Sequence, residues 1–190
     1  KRGARDVNLF ETTIRVLGGL LSAHALSGDL RLLGVAEALG ERLLPAFASA
    51  SGVPFSDVDL AEGGNAHAPA WGPDSSTAEV TSLGLEFREL ARATGRSELA
   101  LPVERLSGLM RALVADDSSS EKRATVPGLA RSLFINADRG TWGASRVVSL
   151  GARGDSFYEY MLKQWLQTNR TDGAHLDDFL AAVVAVEARL

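Results

Sequence analysis

The stretch from Asn8 to Leu26 is apolar on more than one face, and this constrains everything around it. Phe10, Ile14, Leu17 and Leu21 recur at the spacing of one helix face, while Leu9, Val16, Leu20 and Ala23 coat the other sides. A helix with so little polar surface needs cover, so the chain is expected to wrap this segment in further elements. Gly18 and Gly19 sit mid-helix, where each costs about 1 kcal/mol against Ala. A close approach by another backbone would account for them. Ser27-Gly28-Asp29 reads as a stop.

Five more helices follow. Arg31 to Phe47 is amphipathic, with Pro45 marking its last turn. A connection rich in Gly and Pro, Ser49–Asp74, is long enough to suggest a functional loop. Ser76–Thr94 carries Val80, Leu83, Phe87 and Leu90 in register, and Pro102–Ala115 carries Leu106, Leu109, Met110 and Leu113. A polar connection spans Asp116–Ala124, Ser118–Ser120 included. A small β-hairpin is expected from Ser132–Asn136 and Arg146–Leu150, joined through residues 137–140. Asp155–Gln167 and His175–Leu190 complete three helix pairs. The class is all-α, an α/α barrel or a solenoid. The chain opens on Lys1 and its last helix still runs at Leu190, so it reads as a piece of a longer protein, cut at both ends.

Composition narrows the function. A net charge of −4 and a pI of about 5.4 argue against nucleic acid as partner, which needs clustered Lys and Arg. No apolar run reaches the roughly 20 residues of a membrane helix. Without cysteine there is no disulfide, thiolate metal site or cysteine nucleophile. His24, His67 and His175 lack metal-ligand spacing. His67 is expected to stabilise its loop beside Trp71, and Phe157, Tyr158 and Trp165 to be core. Asn169-Arg170-Thr171 matches the N-glycosylation acceptor pattern.

Chemistry-bearing residues cluster at helix starts. Glu11, Glu79 and Asp155 each fall in the first turn of the first, third and fifth helices, 68 and 76 residues apart. Were those helices to share a direction in an inner ring, three carboxyl groups would open on one rim, as acid/base hydrolysis requires. Arg15 and Arg153 flank them as fixed forks of donors. The same pattern has a purely structural reading. Asn8-x-x-Glu11 and Ser76-x-x-Glu79 fit capping boxes, Asp155 fits an N-cap, and Glu11 with Arg15 is an i, i+4 pair. Spacing does not choose between the two.

Larger blocks do. Phe10-Glu11-Thr12-Thr13-Ile14-Arg15-Val16-Leu17-Gly18-Gly19-Leu20-Leu21-Ser22-Ala23-His24, Pro54-Phe55-Ser56-Asp57-Val58-Asp59, Ser76-Thr77-Ala78-Glu79-Val80-Thr81-Ser82, Leu85-Glu86-Phe87-Arg88-Glu89-Leu90 and Gly151-Ala152-Arg153-Gly154-Asp155-Ser156-Phe157-Tyr158-Glu159-Tyr160 occur in order. Together they resemble class I α-1,2-mannosidases, glycoside hydrolase family 47. The resemblance implies that residues 1–190 are part of a catalytic domain more than twice as long, an (αα)7 barrel to which this chain gives about three helical hairpins. It implies removal of terminal α-1,2-linked mannose from high-mannose N-glycans, with inversion and a bound calcium ion (Ca2+). It further implies a place in the secretory pathway lumen, endoplasmic reticulum or Golgi, with an anchor possible upstream.

Carried over by position, Glu11 matches the general acid and Asp155 a second essential carboxylate. Arg15, Ser56, Glu79 and Arg153 match residues contacting the mannoses around the cleavage point. The catalytic base and the calcium-binding threonine of the family belong to segments not in this chain, so no metal ligand is assigned here. The isolated piece is expected to be poorly soluble and inactive. The alternative is a glycan-recognition factor of glycoprotein quality control with little hydrolysis; the Thr-Ala-Glu-Val-Thr-Ser and Gly-Ala-Arg-x-Asp-Ser forms favour the enzyme. Gly154 stands where the family often has Ala, expected to be a mild change.

Overall fold

The computed structural model describes residues 6–61, 64–70, 72–116, 126–145 and 147–189. Its first rod runs unbroken through α1 (Leu9–Glu11), a π-helical segment (Thr12–Leu17) and α2 (Gly18–Ser27). In the π segment the Gly18 N–H reaches back to Thr13 O as well as Arg15 O. Such widened turns occur often at functional sites. Gly28 ends the rod at φ 69°, the left-handed conformation glycine adopts without strain, and its N–H bonds to His24 O at 2.8 Å. Asp29 then caps α3 (Leu30–Leu43) by accepting the Arg31 N–H at 2.9 Å. Pro45 opens a 3-10 turn (Leu44–Phe47) instead of closing the helix, which therefore stops at Leu43.

Two small antiparallel sheets are present where one hairpin was expected. Strands β1 (Asp6–Asn8), β2 (Asp57–Asp59) and β3 (Ala66–His67) pair with Asn8 opposite Asp57 and Asp57 opposite His67. Strands β4 (Asp74–Ser76), β5 (Phe134–Asn136) and β6 (Thr141–Trp142) pair with Ser76 opposite Phe134 and Asn136 opposite Thr141. The returning hairpin strand is thus at 141–142, not 146–150. The turn closes at once through Gly140, whose N–H bonds to Asn136 O at 2.9 Å. Residues 147–150 are irregular, and Arg146 lies outside the described residues.

The third expected helix is two, α4 (Thr77–Thr81) and α5 (Gly84–Thr94). Ser82 leaves helical geometry between them, and its hydroxyl bonds to Ser156 Oγ at 2.7 Å. Then come α6 (Leu101–Ala115), α7 (Asp155–Gln167) and α8 (Gly173–Arg189). The polar connection beyond Asp116, to Ala124, lies outside the described residues, as do Trp71 and Leu190.

Two apolar clusters hold these elements. Leu17, Leu21, Leu43, Phe87 and Leu90 join the first rod to α3 and α5, and each fully buried side chain of this size contributes about 1.5–3 kcal/mol. Leu106, Met110, Ile135, Phe157 and Met161 join α6, β5 and α7, with Ala182 and Ala185 of α8. Phe157 and Tyr158 are core, and Trp165 is half-buried. The first rod is buried along one face only, at Leu9, Thr13, Leu17 and Leu21. Val16 is 49% exposed, because the described elements pack on one side of it. No backbone presses on its glycines: a Cβ on Gly18 would sit 3.4 Å from Glu86 Cγ, and one on Gly19 would meet nothing within 4 Å. The rods α2, α5 and α7 pack side by side, with α3 against α2 and α8 against α7. Among the described residues, no helix is long and apolar enough to cross a membrane.

Candidate active site

Strand and helix follow one another directly at two of the three helix starts. Asn8 ends β1 and caps α1, its side chain accepting the Glu11 N–H at 2.8 Å. Ser76 ends β4 and caps α4, accepting the Glu79 N–H at 3.5 Å. The ladders thereby fix where each helix begins and which way its first turn faces. Neither glutamate completes a capping box. The Glu11 carboxylate goes forward to Arg15 Nε, and Glu79 Oε2 accepts from Asn8 Nδ2 at 3.4 Å. The structural reading thus explains both caps and the Glu11–Arg15 pair, but not where the Glu79 carboxylate goes.

The start of α7 is different. Gly154 stands at the cap without a side chain, so Asp155 is the first helical residue, not the N-cap, and accepts the Ser156 N–H at 2.9 Å. Arg153 is left-handed at φ 73°, its carbonyl accepts the Ala78 N–H at 2.8 Å, and its guanidinium lies 5.1 Å from the centre of the Phe134 ring. A left-handed non-glycine residue is a strained one. Gly154 is not a mild replacement here: a Cβ would lie 2.5 Å from Ser149 O.

These bonds join the three helix starts. Asn8 Nδ2 to Glu79 ties α1 to α4, and Ala78 N–H to the Arg153 carbonyl ties α4 to the turn before α7. Five of the six expected residues, Glu11, Arg15, Glu79, Arg153 and Asp155, fall on this connected rim. Glu11, Arg15, Arg153 and Asp155 are exposed, and Glu79 is half-exposed. Ser56 differs. It is 3% exposed, its carbonyl accepts the Leu9 N–H at 2.8 Å, and its Oγ is buried without a hydrogen-bond partner. It lies behind the rim, where it holds the start of α1.

Sequence reasoning missed the second role of Asn8. The available signal was residue type: Ser and Asp cap as well as Asn but carry no N–H donor. It also missed Glu86, one helical segment below Glu79. Burial raises its carboxyl to about 7, with Lys163 opposing, and its Oε2 has no partner. His67 does serve its loop, with Nδ1 2.8 Å from Ala68 O and Nε2 3.3 Å from Asp6.

Two absences shape the chemistry. Among the described residues no three His, Asp or Glu side chains are grouped to hold a metal. A cavity of about 460 Å³ lies between α4, α6, α7 and α8, lined by groups such as Val80, Leu106, Met110 and Phe157, and none of the six residues lines it. Its apolar walls offer little to sugar hydroxyls.

Comparison with known proteins gives the family. The glycosyl hydrolase family 47 pattern matches residues 1–190. The human endoplasmic reticulum mannosyl-oligosaccharide 1,2-alpha-mannosidase is 46% identical over 185 residues, 97% of this chain and 25% of that protein. The protein of the same name from Saccharomyces cerevisiae is 42% identical over 173 residues, 87% of this chain and 30% of its own length. An alpha-1,2-mannosidase from Trichoderma reesei superposes with a TM-score of 0.81 at 29% identity, over 97% of this chain and 38% of its own. That neighbour is an (αα)7 barrel, and the helices described here are part of that fold. The chain spans about a quarter of the length of the human relative. On these matches, the chain belongs to glycosyl hydrolase family 47.

Proposed function

We propose that the protein containing this chain is a mannosyl-oligosaccharide α-1,2-mannosidase, hydrolysing terminal α-1,2-linked mannose from high-mannose N-glycans with inversion. The observation that carries this is the hydrogen-bonded linkage of three helix starts, each with a carboxylate in its first turn. The relatives named as mannosidases supply the substrate class. In this reading Glu11 delivers a proton to the glycosidic oxygen as the bond to the anomeric carbon breaks. A water attacks from the opposite face, its proton taken by a base. Inversion needs acid and base about 6.5–9.5 Å apart, with the water between base and anomeric carbon. Asp155 is the second carboxylate of this chain at the reacting centre. Arg15, Glu79 and Arg153 bind mannose hydroxyls through charged groups on the rim, and Ser56 contributes from behind it.

The base and the protein ligand of calcium belong to parts of the protein beyond this chain. Bound there, calcium would supply a hard cation for sugar hydroxyls. The two relatives named for the endoplasmic reticulum support a place in the secretory pathway lumen.

The test is release of mannose from a defined high-mannose glycan by the full-length protein, with and without calcium. Glu11→Gln keeps the shape and removes the proton. It is expected to lower the rate about 10²–10⁴-fold, and a Glu11→Gln enzyme within threefold of wild type would contradict the reading.

A further inference from the structure

We propose that Asn8 is a positioning residue, setting the Glu79 carboxylate against the start of α1 with one end of its side-chain amide while the other end caps that helix. Only the activity readout below rests on the mannosidase reading.

The geometry leaves Asn8 no freedom. Its backbone is held in the β1–β2 ladder opposite Asp57, at ψ 126°. Its Oδ1 must face the Glu11 N–H, which can only donate, at 2.8 Å. The planar amide therefore presents Nδ2 elsewhere, and that donor meets Glu79 Oε2 at 3.4 Å, 71 residues along the chain, while the amide also faces the Asp57 carboxyl across the ladder and favours its charged form. The Glu79 main chain is held at the same place, by Ser76 Oγ at its own N–H and through the Ala78 N–H bond to Arg153. Backbone and carboxylate of Glu79 are thus tied to all three helix starts.

Capping alone does not explain the choice of asparagine, since Asp and Ser cap equally well. What they lack is an amide, whose N–H can reach a second group while its oxygen holds the cap. A neutral N–H orients a carboxylate without cancelling its charge, and Asn8 engages only one of the two oxygens, leaving the other to a sugar hydroxyl. Asn8 is then expected to act on substrate binding, through Glu79, and not on bond cleavage itself.

The experiment uses the full-length protein and the variants Asn8→Ser, Asn8→Asp, Glu79→Gln and Asn8→Ser/Glu79→Gln. Both Asn8 variants retain a cap, so their melting temperatures should stay within about 2 °C of wild type. Each should lose about tenfold in kcat/KM, carried by KM, with Asn8→Asp the worse because it sets a second carboxylate against Glu79. Adding Asn8→Ser to Glu79→Gln should cost no more than about twofold. Crystals of Asn8→Ser should show the Glu79 carboxylate displaced, a readout that stands even if wild type releases no mannose and the mannosidase reading itself fails. An unmoved Glu79 carboxylate, kcat/KM within twofold of wild type in both single variants, or full multiplication of the two losses in the double variant would each overturn the proposal.

Discussion

The starts of α1 and α4 are made by a strand and a polar cap, whereas the start of α7 is made by a turn. In the first two, ladder register places Asn8 and Ser76, each cap orders a first turn, and the carboxylate stands at its third residue. In the last there is no strand and no capping side chain. Gly154 packs where a Cβ would meet Ser149 O, Arg153 is left-handed, and the carboxylate stands at the first helical residue. A ladder sets position with ordinary backbone geometry. The turn sets it by close approach, and the left-handed arginine costs about 1–2 kcal/mol. The strain therefore falls at Arg153, while the strand-made starts are relaxed.

The largest expected effect lies beneath both kinds of start. Glu86 lies within 4 Å of where a Gly18 Cβ would be, on the strand-made side, and feels Lys163 of α7 on the turn-made side. Its folded value of about 7 is above the ordinary 4.5. The protonated form thus stabilises the fold fully below about pH 4.5, and that stability is lost as pH rises through about 7. The difference is on the order of 3 kcal/mol. Glu86→Gln should flatten the stability of the full-length protein between pH 5 and pH 8, measured by denaturant unfolding; a variant with the wild-type slope would separate Glu86 from this link.

Next is Gly154→Ala. The added methyl must displace the Ser149 carbonyl or Leu133, whose Cδ2 lies 3.2 Å away, and should cost about 1–3 kcal/mol. Thermal unfolding of the variant tests it, and unchanged stability would mean the turn is as relaxed as the ladders. The smallest effect is at a strand-made start. Ser76→Ala removes a long cap bond of 3.5 Å and should cost about 0.5–1 kcal/mol; a larger loss would show that the ladder alone does not hold α4.

Much of this was legible in the sequence, and unevenly. The helices were readable because apolar residues at helical spacing mark a face over three or more turns, as from Leu9 to Leu21 or Val80 to Leu90. The sheets were not, because strands of two or three residues are too short for alternation to register. The break at Ser82 was hidden since its cause, Ser156, is 74 residues away. The same holds for Asn8 and Glu79: the cap is local and readable, the donor to a distant carboxylate is not. Ser56 is named by its block, yet burial depends on Leu9 reaching its carbonyl. Glu86 reads as the polar side of an amphipathic helix, and only the approach of Gly18 and α7 shows that side turned inward.

The central claim is that strand-made and turn-made starts build one reacting centre. Its most direct test is mannose release by the full-length protein carrying Glu11→Gln, Asp155→Asn and both together. Groups that act as a unit are strongly non-additive, so the double variant should be no slower than about threefold below the slower single variant. Losses that multiply in full would place the two carboxylates in independent roles and contradict the account.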